Sequence, residues 1–143
     1  MAHNDVTAET YATRAHQALR SGNYLLCYDL VDQAQQLGHR NRRLQYLSLL
    51  ALANAGSTAF AWRVYRELGD EELDEDWLAL QGRLLKDLAL AGGGRAEYQA
   101  AAQAYLAAFR QTGGYFTAIN AATMFLLAGE TAASQELARE VLS

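Results

Sequence analysis

Four glycines divide this chain into segments of nearly equal length. Gly22, Gly56, Gly93 and Gly129 are separated by 34, 37 and 36 residues, and each sits between two stretches of helical apolar periodicity. A period of that size is long enough for one pair of antiparallel helices and short enough to leave little else in the unit. Proline is absent from all 143 residues. Chain breaks therefore fall to glycine, which reaches the left-handed turn conformation that ends helices. Alanine and leucine dominate the segments between these breaks, and both are strong helix formers.

Taken in order, the first pattern places Val6, Tyr11, Ala15, Ala18 and Leu19 on one face. Asn23 is expected to cap the second helix, which turns Tyr24, Cys27, Tyr28, Val31, Ala34 and Leu37 inward and stops at Gly38. Asn41 is the expected cap of a third helix to about Ala55, apolar nearly all round and hence buried between neighbours. Ser57 opens a fourth helix with Phe60, Ala61, Val64, Tyr65 and Leu68 on one stripe, ended by Gly69. The acidic run Asp70, Glu71, Glu72, Asp74, Glu75 and Asp76 then meets the positive end of the dipole of a fifth helix beginning near Trp77. That helix runs into Gly92-Gly93-Gly94, with Gly93 as the turn glycine of its hairpin. In the sixth helix Tyr98, Ala101, Ala102, Tyr105 and Phe109 share a face. The seventh is expected to turn Phe116, Ile119, Ala122, Thr123 and Leu126 to one side, and the eighth, capped by Thr131, carries Ala133, Leu137 and Val141.

The expected fold is therefore all-α, with eight helices in four antiparallel hairpins spanning about 6–38, 41–69, 74–112 and 114–143 of a single domain. Stacked pairs of this period form a right-handed α-solenoid of the tetratricopeptide kind. Small residues such as Ala15, Ala18 and Ala34 fall where paired helices approach closely. The repeats are degenerate, since the proline that usually closes such units is missing and the third hairpin has an extended entry.

A net charge of −4 argues against nucleic acid as a partner, because phosphates call for a basic face. No run of about 18 apolar residues is present to cross a bilayer, and the first nine residues are polar rather than signal-like. Cys27 is the sole cysteine, which fits a reducing cytoplasm. His3, His16 and His39 lack metal-ligand spacing with one another or with Cys27, and no phosphate-loop lysine follows the triple glycine, so neither metal nor cofactor is expected. No nucleophile or acid–base constellation stands out, which argues for a binding protein over an enzyme.

Two stretches carry a family resemblance. Gly82-Arg83-Leu84-Leu85-Lys86-Asp87 with Ala104-Tyr105-Leu106-Ala107-Ala108-Phe109 resembles the TRAFs-binding domain that precedes the kinase domain of apoptosis-signal-regulating MAP kinase kinase kinases. Gly114-Tyr115-Phe116-Thr117-Ala118-Ile119-Asn120-Ala121-Ala122-Thr123 and Leu126-Leu127-Ala128-Gly129 extend the likeness, which covers about residues 77–143. The resemblance implies a non-catalytic, tetratricopeptide-like module that contacts proteins or peptides and regulates or scaffolds a signalling effector. It singles out Arg83, Lys86, Asp87 and Asn120 as a polar set for partner contact. Arg83 and Asp87, four apart, are also spaced to pair across one helical turn, while Asn120 has a structural alternative in bonding backbone between hairpins. A second functional reading is a small secretion chaperone holding client peptides in its groove. Leu137, Val141 and Leu142 leave the last helix apolar, so the C-terminal end is expected to pair with a second copy or to continue into a further domain.

Overall fold

The computed structural model describes the backbone of residues 2–68 and 74–143, with side chains from residue 8 onward within those ranges. The described residues form eight α-helices and no strand: α1 Ala2–Arg20, α2 Tyr24–Gln36, α3 Arg42–Asn54, α4 Thr58–Glu67, α5 Glu75–Leu90, α6 Arg95–Thr112, α7 Tyr115–Leu127 and α8 Thr131–Leu142. They fall into two compact units, Met1–Val64 and Tyr65–Ser143.

In the first unit, α1 packs on α2 and α3, and α2 packs on α3. Ala12, Ala15 and Ala18 form the buried edge of α1, and their lack of bulk lets its neighbours close on Cys27, Val31, Ala34, Leu44, Leu47 and Ala51. Tyr11, Leu19, Tyr24 and Leu30 seal the margin. Helix α3 buries residues on two opposite sides: Leu44, Leu47 and Ala51 on one, Leu49 and Ala53 on the other. That is the outcome expected of a helix apolar nearly all round. Asn23 and Asn41 act as caps, their Oδ1 atoms accepting from the N–H of Leu26 (3.4 Å) and of Leu44 (2.9 Å). Gly38, at φ 93°, ends the second hairpin helix, and the His39 N–H reaches back to the Ala34 carbonyl. Leu37 departs from expectation. It lies one residue beyond α2, where the helical phase no longer holds, and is 61% exposed.

In the second unit, α6 packs between α5 and α7, and α7 packs on α8. Ala101, Ala102, Tyr105, Ala121, Met124, Phe125 and Leu137 form its core, with Leu85, Tyr98, Leu106 and Phe109 against it. Asp74 caps α5 by accepting from the Trp77 N–H at 3.0 Å, and Glu75 and Asp76 occupy the first turn, where carboxylates complement the helix dipole. The remaining members of the acidic run, Asp70 to Glu72, and the expected stop at Gly69 lie outside the described residues. Tyr65, near the end of α4, donates its hydroxyl to the Trp77 carbonyl at 2.9 Å, and the two rings sit 5.7 Å apart.

Two expected turn details are corrected. The third hairpin reverses at Gly92, which has φ 126°, whereas Gly93 is outside the positive-φ region, and a β-carbon there would lie 2.8 Å from the Ala89 α-carbon and 2.9 Å from Glu97 Cγ. Glu97 then accepts from the Gly94 N–H at 2.8 Å and so closes the entry to α6. At α8 the cap position belongs to Glu130, not Thr131, which is already helical. Glu130 supplies no capping bond because its carboxylate is held by the Gln99 amide of α6.

Candidate interaction surface

Helix α5 carries three of the four polar residues singled out from the sequence. Gly82 stands beside them for a steric reason: a β-carbon there would lie 2.9 Å from Cγ, Cδ1 and Cδ2 of Tyr105. The missing side chain lets the Tyr105 ring of α6 press flat against the α5 backbone. Arg83 and Asp87 pair across the next turn with Nε to Oδ2 at 3.6 Å, as their spacing predicts. Both remain partly exposed. Burial pushes the Tyr105 phenol up to about 12, the Asp87 carboxylate adds to that rise, and the Arg83 guanidinium opposes it. Arg83 and Asp87 thus form a charged margin over a buried ring. Lys86 is partly exposed on the same helix.

Asn120 sits apart from this group. Its Nδ2 donates to the Phe116 carbonyl one turn back in α7 at 2.9 Å, a bond within its own helix and not one between hairpins. No hydrogen bond or ion pair joins it to Arg83, Lys86 or Asp87 among the described residues.

The face of α7 that holds Asn120 is the outward one. Its buried side consists of Thr117, Ala118, Ala121, Met124 and Phe125. The residues that the sequence places together on one side lie on the outward face: Phe116 is 74% exposed, Ile119 47% and Leu126 55%, joined by Leu127 at 50% and Tyr115 at 60%. The shared face was legible, but not the direction in which it points. Helix α7 has two apolar faces, and the one bearing Ala118 and Ala121 permits the closer approach to α6. Thr123 lies within the outward face and donates its hydroxyl to the Ile119 carbonyl at 2.9 Å. A groove of about 240 Å³ borders this face, lined by Tyr115, Ile119 and Thr123 of α7 and Val141 of α8.

Elsewhere the chemistry is quiet. Burial pushes the Cys27 thiol up to about 11, and its Sγ contacts the Leu47 carbonyl at 3.6 Å. Among the described residues no cluster of three metal-binding side chains forms. No described helix is long and apolar enough to cross a membrane. A salt bridge joins Arg110 of α6 to Glu140 of α8, and their shared hydrogen bond raises the pKa of the guanidinium and lowers that of the carboxylate, favouring the charged form of both.

Comparison with curated proteins and with solved structures gives no match. A family profile described as Tetratricopeptide Repeats-Sensor matches residues 23–125, more than two thirds of the chain. The match runs from the cap of α2 through most of α7 and includes both the polar margin of α5 and the greater part of the outward α7 face. Helix pairs reversed at glycines, alanine-rich contact edges and this span together carry one conclusion: the chain belongs to the Tetratricopeptide Repeats-Sensor family.

Proposed function

We propose that this chain is a non-catalytic protein-interaction module that regulates or scaffolds a signalling effector, attached or separate, and that the outward face of α7 is its contact surface. The observation that carries the reading is the exposure of Tyr115, Phe116, Ile119, Leu126 and Leu127 together on one helix. A contiguous apolar patch of that kind marks interaction surfaces on globular proteins. Tetratricopeptide repeats are a protein-binding fold, and the family description adds sensing. The likeness of residues 77–143 to the TRAFs-binding domain supports a signalling effector as the controlled element. A non-catalytic role fits the ionisation pattern. Cys27 and Tyr105 are both moved away from neutral pH by burial, opposite to the tuning that activates a nucleophile or a general acid.

The test is site-specific photo-crosslinking in cells, with benzoylphenylalanine in place of Phe116 and, separately, in place of exposed Leu25 of α2. The reading expects protein adducts from position 116 that are absent from position 25, and loss of the same contact on Phe116→Ala with the fold intact. Adducts from position 25 with none from position 116 would overturn the α7 surface.

A further inference from the structure

The geometry points to a specific occupant of the outward α7 face, namely the same face of a second copy of this chain; this rests on the reading of α7 as the contact surface. Three observations select a second copy over an unrelated partner. The first is charge. Between Gln111 and Gly129 there is no Asp, Glu, Lys or Arg, so the entire helix and both its flanking turns are uncharged. A surface that recognises a different protein generally uses charge for steering and discrimination. Around a twofold axis residue i meets j while j meets i, and residues at the axis meet their own copies, so charges there repel and an uncharged face avoids that repulsion.

The second observation concerns the polar residues within the patch. The Asn120 amide and the Thr123 hydroxyl both donate to carbonyls of their own helix. Covering them therefore strips little water from unsatisfied donors, and the Thr123 hydroxyl needs no partner from outside. The third is area. The exposed fractions of Tyr115, Phe116, Ile119, Leu126 and Leu127 amount to roughly 550 Å² of side-chain surface, against about 800 Å² per partner in a stable complex. The patch therefore lies at the small end of the range, where association is weak and depends on concentration.

An antiparallel crossing centred between Asn120 and Thr123 satisfies the pattern. It sets Phe116 of one copy against Leu127 of the other and Ile119 against Leu126, with the smaller Asn120 and Thr123 at the crossing where the helix axes come nearest. The device then joins sensing to output in a simple way: pairing of two modules brings together whatever effectors they control.

Analytical ultracentrifugation of the full chain over a concentration series tests this. The expected result is a mass that rises from 15.7 kDa toward twice that value. Ile119→Lys, which places two ammonium groups near the axis, and Phe116→Ala should each shift the midpoint at least tenfold upward while leaving the circular dichroism melt unchanged. Thr123→Cys should form a disulfide-linked dimer on mild oxidation, whereas the wild-type protein does not, because Cys27 is buried. A wild-type chain that stays monomeric at roughly 200 µM would refute the pairing, as would a dimer indifferent to both substitutions. The two readings separate cleanly. A monomer whose position 116 cross-links to a different protein removes the second copy and keeps the interaction surface; a monomer with no α7 adduct removes both.

Discussion

Replacing Gly82 with alanine sets two effects of known size against each other. In an unconstrained helix interior, Gly→Ala stabilises by about 1 kcal/mol through backbone entropy. Here the new methyl would stand 2.9 Å from three ring atoms of Tyr105, tighter than ordinary carbon contact by roughly 0.5–1 Å. Tyr105 is 2% exposed and shares its core with Ala101, Ala102, Ala121 and Phe125, so the ring has little room to retreat. Overpacking of that kind costs about 1–3 kcal/mol. The clash wins, and Gly82→Ala should destabilise by about 1 kcal/mol, lowering the melting midpoint by roughly 3 °C. Urea titration followed by circular dichroism measures the free energy, and a double-mutant cycle with Tyr105→Ala isolates the cause. In the Tyr105→Ala background the same substitution should become stabilising, because the ring is gone and only the propensity gain remains. A stabilising Gly82→Ala in the wild-type background would show that the α5–α6 contact relaxes freely, and would refute the argument that this glycine exists to seat the ring.

Three further outcomes follow from the geometry. Asn41→Ala should cost about 1 kcal/mol, since it orphans the Leu44 N–H, while Thr131→Ala should have almost no effect on stability because Thr131 caps nothing; paired thermal melts compare them. The Cys27 thiol should resist alkylation in the native state at pH 8, reacting only as fast as the first unit opens. Because burial raises its pKa, the neutral thiol favours the fold below the ordinary value of 9.0, and that contribution is lost as pH climbs toward about 11. Cys27→Ala should therefore flatten the alkaline limb of a stability–pH curve. On the acid side, the lowered Glu140 carboxylate favours the fold above its ordinary value of 4.5 and loses that contribution as pH falls through the lowered one. The stability difference between wild type and Arg110→Gln should accordingly shrink as pH drops below the carboxylate range.

Helix number, order and most boundaries were legible because glycine alone interrupts the chain and because Asn23 and Asn41 have the side chains that caps require. Gly82 stands within a strongly helical stretch, where a glycine needs a steric reason, and the Tyr105 ring supplies it. The orientation of α7 was not legible. Phe116, Ile119 and Leu126 recur with helical period, but so do Ala118, Ala121 and Phe125, and a period carries no information about which face a neighbour selects. Close approach to α6 chose the second set for burial. The reversal at Gly92 instead of Gly93 has the same origin, because three consecutive glycines are equally free and the contact of Gly93 with Ala89 decides among them. Thr131 has a side chain suited to capping, but Glu130 occupies the cap position and is drawn away by Gln99, a residue 31 positions earlier in the chain.

The bond from the Tyr65 hydroxyl to the Trp77 carbonyl has a consequence for how this chain tolerates change in length. It pins two points twelve residues apart, so the intervening segment begins and ends at fixed anchors whatever it contains. Closing a longer loop between fixed ends costs only about 0.6 kcal/mol for each doubling. A peptide tag inserted between those two anchors should therefore leave the Tyr65–Trp77 bond and the Asp74 cap of α5 in place. Tyr65→Phe removes the anchor while keeping the ring, and in that background the same insertion should become markedly more destabilising.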